Sequence, residues 1–153
     1  MPHIHEKIDF TVEVFIVHNG KVLLRKHDKY KLWLGVGGHI ELHEDPIQAA
    51  IRECKEEVGL KINIIPKPKQ FKKTPDKELT PPAFLNRHSI NKTHEHVSFV
   101  YFATSKTDKV RDMEGSEKSL GLKWFTKQEL DRPEYGIYSN VIAYAKSAIS
   151  AVR

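Results

Sequence analysis

Residues 38–60 contain the most constrained pattern in this chain, because seven residues recur there at fixed intervals. The seven are Gly38, Glu44, Arg52, Glu53, Glu56, Glu57 and Gly59. Five residues separate the first glycine from the first glutamate, and seven separate that glutamate from the arginine. With each residue type used at roughly 6–7%, a chance match per chain is on the order of one in a million. Carboxylates in such a stretch can hold divalent cations against a diphosphate, which points to an enzyme.

A helix is predicted for the second half of this segment, from Pro46 to about Val58. Asp45 is a favourable N-cap, and a proline at the first helical position loses no hydrogen bond. Gly59 follows, and glycine is the residue that most readily ends a helix. The pattern therefore places the arginine and three of the glutamates on one helix.

The three glutamates of this helix share one side of it. At about 100° per residue, Glu53, Glu56 and Glu57 lie within an arc of roughly 100°. The (i, i+4) pair of like charges, Glu53 and Glu57, costs roughly a few tenths of a kcal/mol. One interpretation is an ordinary solvated acidic face; the other is a site for Mg²⁺, which favours carboxylate oxygens. The adjacent face is apolar and is expected to pack on a sheet: Ile47, Ala50, Ile51, Cys54 and Val58.

Strand patterns dominate the rest of the chain. Residues 10–17 and 21–27 flank Asn19-Gly20, a strong tight-turn signal, and predict a β-hairpin. Three further segments are predicted to be strands: residues 61–65, 96–103 and 120–125. Thr126 is expected to cap a short helical turn after the last of them.

The remaining segments supply a second helix and the connections. The apolar spacing in residues 140–152 predicts a helix with one packing face. Residues 31–38 are predicted to be a glycine-rich loop, residues 39–42 a short extended piece, and residues 67–93 a long insertion. Strands interleaved with two helices favour an α/β sandwich.

Composition limits the class of protein. A chain of 153 residues is expected to form one domain, residues 1–153, with a sizeable core. One cysteine, no apolar signal core at the start and no stretch of roughly 18 apolar residues predict a cytoplasmic protein without a membrane span. The net charge of +5 would attract anionic ligands, although a solvated lysine-rich surface has the same charge, so nucleic acid is not indicated.

The pattern at residues 38–60 resembles the Nudix box, G-x5-E-x7-R-E-U-x-E-E-x-G-U, in which U is a bulky apolar residue. Every fixed position is met; Cys54 at the first U position is a mild departure, and Leu60 occupies the second. Trp33 ahead of Gly37-Gly38 also resembles the family. The resemblance implies a Nudix-type α/β/α sandwich with a mixed β-sheet.

The resemblance also implies a reaction and the residues that perform it. Nudix hydrolases cleave a nucleoside diphosphate linked to another moiety, X, and use Mg²⁺ or Mn²⁺. By position, the metal ligands would be Glu53, Glu56 and Glu57, with the carbonyl of Gly37 as a further ligand. Arg52 would orient Glu53, while Gly38 and Glu44 would support the geometry near the metal.

The general base has several candidates. Within the family, the proton of the attacking water passes either to the glutamate at position 53 or to a glutamate of a later loop. Glu117 is the first later candidate here, followed by Glu114 and Glu95. Each could equally be a surface glutamate.

Weaker candidates lie outside the box. His94 and His96, two apart at a strand start, could face one side and contact substrate or metal, or they could be polar residues at a strand edge. Trp33, Phe71 and Phe84 could stack on a base or pack within the protein. Cys54 is expected to be an inert buried thiol rather than a nucleophile.

The leading functional prediction is therefore a Mg²⁺-dependent pyrophosphohydrolase that acts on a small-molecule nucleotide or related diphosphate. A non-nucleotide diphosphate or capped RNA is the alternative substrate. A non-catalytic Nudix-fold sensor or RNA-binding scaffold is the alternative class, although such proteins usually lose the box glutamates. Homodimers are common in the family.

Overall fold

The computed structural model describes residues 6–111 and 119–152. Its strands are β1 (Ile8–His18), β2 (Lys21–His27), β3 (Trp33–Leu34), β4 (Val36–His39), β5 (Ile62–Ile65), β6 (Phe84–Asn91), β7 (His94–Ser105) and β8 (Ser119–Phe125). Its helices are α1 (Pro46–Val58), α2 (Lys127–Leu130) and α3 (Ser139–Ala151), and a single 3₁₀ turn spans Pro133–Tyr135. Among these described residues, no helix is long and apolar enough to cross a bilayer.

The strands form one mixed sheet. β1 and β7 run parallel in register from Ile8 opposite Glu95 to Val17 opposite Thr104, and the other pairings are antiparallel. The central order is β3-β2-β1-β7-β5. β4 pairs with residues 11–14 of β1, β6 pairs with residues 94–100 of β7, and β8 pairs with β2. The glycines of the box on β4 therefore lie beside the middle of β1.

A helix covers each face of this sheet. Alternate residues of β1 point to opposite faces, so Val12, Val14 and Ile16 share a buried cluster with Ala50 and Cys54 of α1. The intervening residues Phe15 and Val17 are in a second cluster, which contains Val141, Ala145 and Ala148 of α3. This arrangement confirms the predicted α/β/α sandwich with a mixed sheet.

Local chemistry explains the elements that were predicted correctly. In the β1–β2 hairpin, Asn19 and Gly20 both have positive φ, 47° and 73°, as a two-residue hairpin turn of this type requires. The Asp45 carboxylate accepts from Gln48 N at 2.8 Å, and Gln48 Oε1 accepts from Asp45 N at 2.9 Å, which forms a capping box before Pro46. At the other end of α1, Gly59 has φ 69° and its N–H donates to Lys55 O.

Two predicted segments, the loop at residues 31–38 and the extended piece at residues 39–42, differ from the structure. Residues 31–38 contain β3 and most of β4. Among residues 39–42, only His39 is in a strand, and the segment ends in a turn at Leu42 and His43. β4 carries Gly37 and Gly38, which are poor strand formers, and it is a strand because it pairs with β1.

The predicted insertion at residues 67–93 also contains a strand. β6 is largely exposed, so it lacks the apolar alternation by which strands are recognised in a sequence. It forms because its backbone pairs with β7 from Phe84 opposite Val100 to Asn91 opposite His94.

The packing face of α1 also differs from the prediction at one residue. Ile51 was predicted to pack on the sheet but is 43% exposed, whereas Ala49, which was not predicted to pack, is fully buried.

Candidate functional site

Helix α1 and strand β4 bring the residues of the box together. The three glutamates of α1 differ in exposure: the side chains of Glu53, Glu56 and Glu57 are 13%, 60% and 11% exposed. Glu57 accepts from Gly37 N at 3.3 Å, which joins the helix to β4. The sequence placed all three carboxylates on one arc; the structure adds that two of them face the sheet and one faces solvent.

Arg52 uses all five of its N–H donors here, four of them to glutamate oxygens and one to a backbone carbonyl. Its Nε and Nη2 donate to the two carboxylate oxygens of Glu44, at 3.0 and 2.6 Å. Its Nη1 donates to Glu53 Oε1 at 2.9 Å and to Glu56 Oε2 at 3.1 Å. The remaining Nη2 hydrogen bond, of 3.0 Å, goes to the carbonyl oxygen of His39. One guanidinium therefore fixes the loop before α1, two glutamates of α1 and the end of β4.

The pKa values of two carboxylates in this network, Glu44 and Glu53, are shifted in opposite directions. The hydrogen bonds from Arg52 lower the pKa of Glu44, which also accepts from Glu41 N at 2.9 Å. Burial raises the pKa of Glu53, and the hydrogen bond from Arg52 only partly offsets that effect. Glu44 is therefore a firmly ionised support, whereas Glu53 is a base of raised proton affinity beside it.

Two glycines allow β4 to lie close to its neighbours. A Cβ on Gly38 would be 2.5 Å from Glu53 Oε1 and 2.6 Å from its carboxyl carbon. A Cβ on Gly37 would overlap the backbone carbonyl of Val12 on β1. Glycine at both positions is therefore required for the backbone of β4 to lie against Glu53 of α1 and against β1 at the same time.

Two residues at this site were missed from the sequence. Arg25 on β2 is 4% exposed and its Nη1 lies 3.6 Å from Glu57 Oε1. Glu13 on β1 is opposite Gly37 and its Oε1 accepts from Gly35 N at 2.9 Å, and burial raises the pKa of Glu13. The signal available in the sequence was that each is a charged residue inside an otherwise apolar strand pattern, which indicates a buried charge with a partner. Both side chains hold the neighbourhood of β4 and α1 in place.

The histidines at the start of β7 do face one side, as predicted. His94 Nε2 and His96 Nε2 are 3.1 Å apart, and His94 Nε2 is 3.1 Å from Asp9 Oδ2. The His39 Nε2 atom lies 3.5 Å from the same oxygen of Asp9. Burial, together with the neighbouring histidines, lowers the pKa of His96 to about 4, so this imidazole is neutral near pH 7.

The aromatic candidates mostly pack within the protein. Trp33 makes an edge contact with Phe125, with ring centroids 5.1 Å apart, and Phe84 lies against Tyr144 with centroids 4.5 Å apart. Phe71 is 60% exposed. A role for Trp33 in binding substrate stays a prediction. Cys54 is fully buried, and burial raises the pKa of its thiol well above the usual range, which confirms that it is enclosed and argues against a nucleophile.

Of the three later candidates for the general base, the structure describes only Glu95. Glu117 and Glu114 lie outside the described residues, so their roles stay predictions. Glu95 is described and forms ion pairs with Arg87 at 2.6 Å and Lys7 at 3.4 Å. The hydrogen bond from Arg87 lowers the pKa of Glu95, which makes it a weaker base than Glu53.

Comparison with known proteins identifies the class. The NUDIX domain model matches residues 9–144, and the chain therefore belongs to the Nudix family of hydrolases. A solved NUDIX-family hydrolase from Clostridium perfringens is 34% identical, with a TM-score of 0.86; the match covers 98% of this chain and 100% of that chain. Nudix enzymes generally use divalent metals.

Two curated relatives differ in how much of their length is matched. A protein of Lactococcus lactis subsp. cremoris named "Probable DHNTP pyrophosphohydrolase" is 27% identical over 143 residues, which is 90% of this chain and 77% of the relative. The "m7GpppN-mRNA hydrolase NUDT17" of Xenopus laevis is 38% identical over 61 residues. That second match covers 36% of this chain and only 21% of the relative.

Proposed function

We propose that this chain is a Mg²⁺- or Mn²⁺-dependent pyrophosphohydrolase that cleaves a diphosphate linkage in a nucleotide or a nucleoside diphosphate derivative. The observation that carries the proposal is the group of three glutamates on α1. Arg52 donates to Glu53 and Glu56, and the strand glycines of β4 lie against Glu53 and Glu57. Such a group of carboxylates is unfavourable by itself, and a hard cation would offset the repulsion.

The donor set fits a hard cation. The side chains of Glu53, Glu56 and Glu57 offer carboxylate oxygens, and the Gly37 carbonyl is the fourth donor that we propose. The close approach of Gly38 to Glu53, with no room for a Cβ, keeps the strand backbone at this acidic group. A bound Mg²⁺ or Mn²⁺ would neutralise phosphate charge and make a water more acidic.

Three side chains of the protein, Arg52, Glu44 and Glu53, would then have separate roles. Arg52 would hold Glu53 and Glu56 in fixed positions through Nη1, and Glu44 would hold Arg52. Glu53 would accept the proton of the water that attacks phosphorus, unless Glu117 does so. As the new oxygen–phosphorus bond formed, the bond from that phosphorus to the bridging oxygen would break, and the bridging oxygen would leave with its electron pair on the other phosphate.

The choice of substrate rests on the relatives and on charge. The relative from Lactococcus matches most of the chain and is named for a pyrophosphohydrolase acting on DHNTP, which favours a small nucleotide-type substrate. Capped RNA is the second candidate, because the mRNA hydrolase relative matches a short segment and the net charge is +5. The box glutamates are all present, which favours catalysis over a non-catalytic sensor.

Turnover of a substrate panel tests this proposal. The panel contains DHNTP, canonical and oxidised nucleoside triphosphates, ADP-ribose, NADH, dinucleoside polyphosphates and capped RNA, each with Mg²⁺ and with Mn²⁺. We expect one class to be hydrolysed between its phosphates, only with added cation. If nothing is hydrolysed and calorimetry also detects no Mg²⁺ binding, the enzyme proposal is wrong and the sensor class is favoured.

Replacing Arg52 with lysine separates its positioning role from its charge. Lysine keeps the charge but cannot donate to Glu44, Glu53 and Glu56 in one planar arrangement. We expect Arg52→Lys to lower kcat about 10- to 100-fold with little change in KM, an effect of the size seen when residues that orient metal ligands are changed. The measurement is steady-state hydrolysis of the best panel substrate.

Arg132→Lys is the matched control, because Arg132 is exposed. It should leave kcat unchanged. A further decrease in Arg52→Ala would show that Arg52→Lys retains part of the interaction. A wild-type kcat for Arg52→Lys would contradict the positioning role.

A further inference from the structure

Four side chains at the ends of three neighbouring strands form a second cluster of donors, which we call the His–Asp cluster: Asp9, His39, His94 and His96. In the sheet, Asp9 is opposite His96, and His39 is opposite Thr11 on the same strand as Asp9. Residues two apart on a strand share a face, so the register directs all four side chains to one side. Each offers one ligand atom, and the four atoms lie within 4.8 Å of one another.

We propose that the His–Asp cluster binds one transition-metal cation of the Zn²⁺ type. A tetrahedral Zn²⁺ with bonds of about 2.0–2.1 Å separates its ligand atoms by about 3.3–3.4 Å. Three of the six distances between the donor atoms are close to that spacing, and the others are no longer than 4.8 Å. The three are 3.1 Å between His94 Nε2 and His96 Nε2, 3.1 Å between His94 Nε2 and Asp9 Oδ2, and 3.5 Å between His39 Nε2 and Asp9 Oδ2.

The chemistry of the donors separates this cluster from the acidic group on α1. Imidazole nitrogens suit Zn²⁺, Co²⁺ and Ni²⁺, whereas Mg²⁺ prefers oxygen ligands. A single imidazole would be enough to pair with Asp9, and additional imidazoles would repel one another once protonated. A phosphate group is a poor occupant, because the Asp9 carboxylate is near the middle of the cluster and would repel it.

The position of the cluster gives the ion a structural consequence. Asp9 is in the second residue pair of the β1–β7 ladder, His39 ends β4, and His94 begins β7. The cluster is also open to solvent, since the side chains of Asp9 and His39 are 43% and 57% exposed. A bound ion would therefore connect three strand ends and could enter without unfolding of the sheet.

Metal binding by the untagged, full-length chain tests the proposal without any substrate. His3 and His5 have the same spacing as His94 and His96, so every protein carries His3→Asn and His5→Asn to remove that pair. Equilibrium dialysis against Zn²⁺, with Mg²⁺ in large excess to occupy the acidic group, measures the zinc retained per chain. Co²⁺ in place of Zn²⁺ adds a visible spectrum that distinguishes four-coordinate from six-coordinate sites.

We expect one Zn²⁺ per chain and an intense four-coordinate Co²⁺ spectrum. Loss of a ligand in His94→Asn or His96→Asn should weaken Zn²⁺ binding at least about 100-fold, more than loss of a residue that only orients a ligand. His39→Asn gives the same readout at a more exposed position, in case the β7 variants fold poorly. The matched control is His88→Asn, which is opposite His96 on β6 but outside the cluster.

Three outcomes would overturn the proposal. The first is no Zn²⁺ retained in the presence of Mg²⁺, and the second is Zn²⁺ retention by all three histidine variants that equals retention by the parent protein. The third is retention that Glu56→Gln abolishes and the histidine variants do not, which would assign the ion to α1. Because none of these measurements uses hydrolysis, an inactive enzyme would leave the result unaffected.

Discussion

Glu53→Gln is expected to lower kcat by about 1,000-fold or more for whichever panel substrate is hydrolysed. The amide has the shape of the carboxylate but neither its charge nor its ability to accept a proton. It removes one proposed metal ligand and the proposed general base, and loss of general base catalysis alone is worth about 10²- to 10⁴-fold. The Arg52 Nη1 group loses its charged acceptor at 2.9 Å in the same change.

Two measurements make this result specific. Glu134→Gln, at an exposed position on the 3₁₀ turn, should retain wild-type kcat. Thermal unfolding should show that Glu53→Gln folds without loss of stability when no cation is added, because one of several repelling charges is removed. Added Mg²⁺ should raise the Tm of the wild type more than that of the variant, since a ligand stabilises the state that binds it. A variant with near-normal kcat would refute the assignment.

Gly37→Ala is expected to destabilise the protein by about 3 kcal/mol or more, at the upper end of the effect of overpacking. The added Cβ would overlap the carbonyl of Val12, which belongs to the backbone, so no side-chain rotation can relieve the contact. β4 would have to move away from β1 and carry the proposed carbonyl ligand with it. For a chain of this size, the Tm should fall by about 6–12 °C.

Gly136→Ala separates this overlap from ordinary backbone strain. Gly136 has φ +60° with no atom within 4 Å of an added Cβ, so only the left-handed conformation opposes alanine. That should cost about 1–2 kcal/mol. Calorimetry of both variants gives the comparison. Equal losses of stability would mean that β4 is not held as closely to β1 as the structure has it.

The features predictable from the sequence are those decided by neighbouring residues. Asn19-Gly20 fixes the hairpin turn, and Asp45, Pro46 and Gly59 fix the ends of α1, because turn and cap chemistry act over a few residues. The box pattern predicted which glutamates share the helix with Arg52. It could not predict that Glu56 is exposed while Glu53 and Glu57 are enclosed, because that depends on what the sheet places against α1.

The features missed from the sequence depend on pairing between distant segments. β4 is a strand despite two adjacent glycines, and β6 is a strand despite an exposed polar pattern, because β1 and β7 provide backbone partners. The pairing of Arg25 with Glu57 has the same origin. In the His–Asp cluster, only the spacing of His94 and His96 was visible, whereas Asp9 and His39 are brought in by register.

The parallel pairing of β1 with β7 has a consequence for how the chain reaches this fold during synthesis. The partners lie far apart in sequence; the hydrogen bond from His18 to Ser105 at the end of this ladder spans 87 residues. The segments of the hairpin, β4 and α1 are all synthesised before β7 leaves the ribosome. Until then, one long edge of β1 has no parallel partner, and pairing of this separation is slow to form. The helix that carries the box glutamates is therefore synthesised early, but the sheet that supports it is completed late.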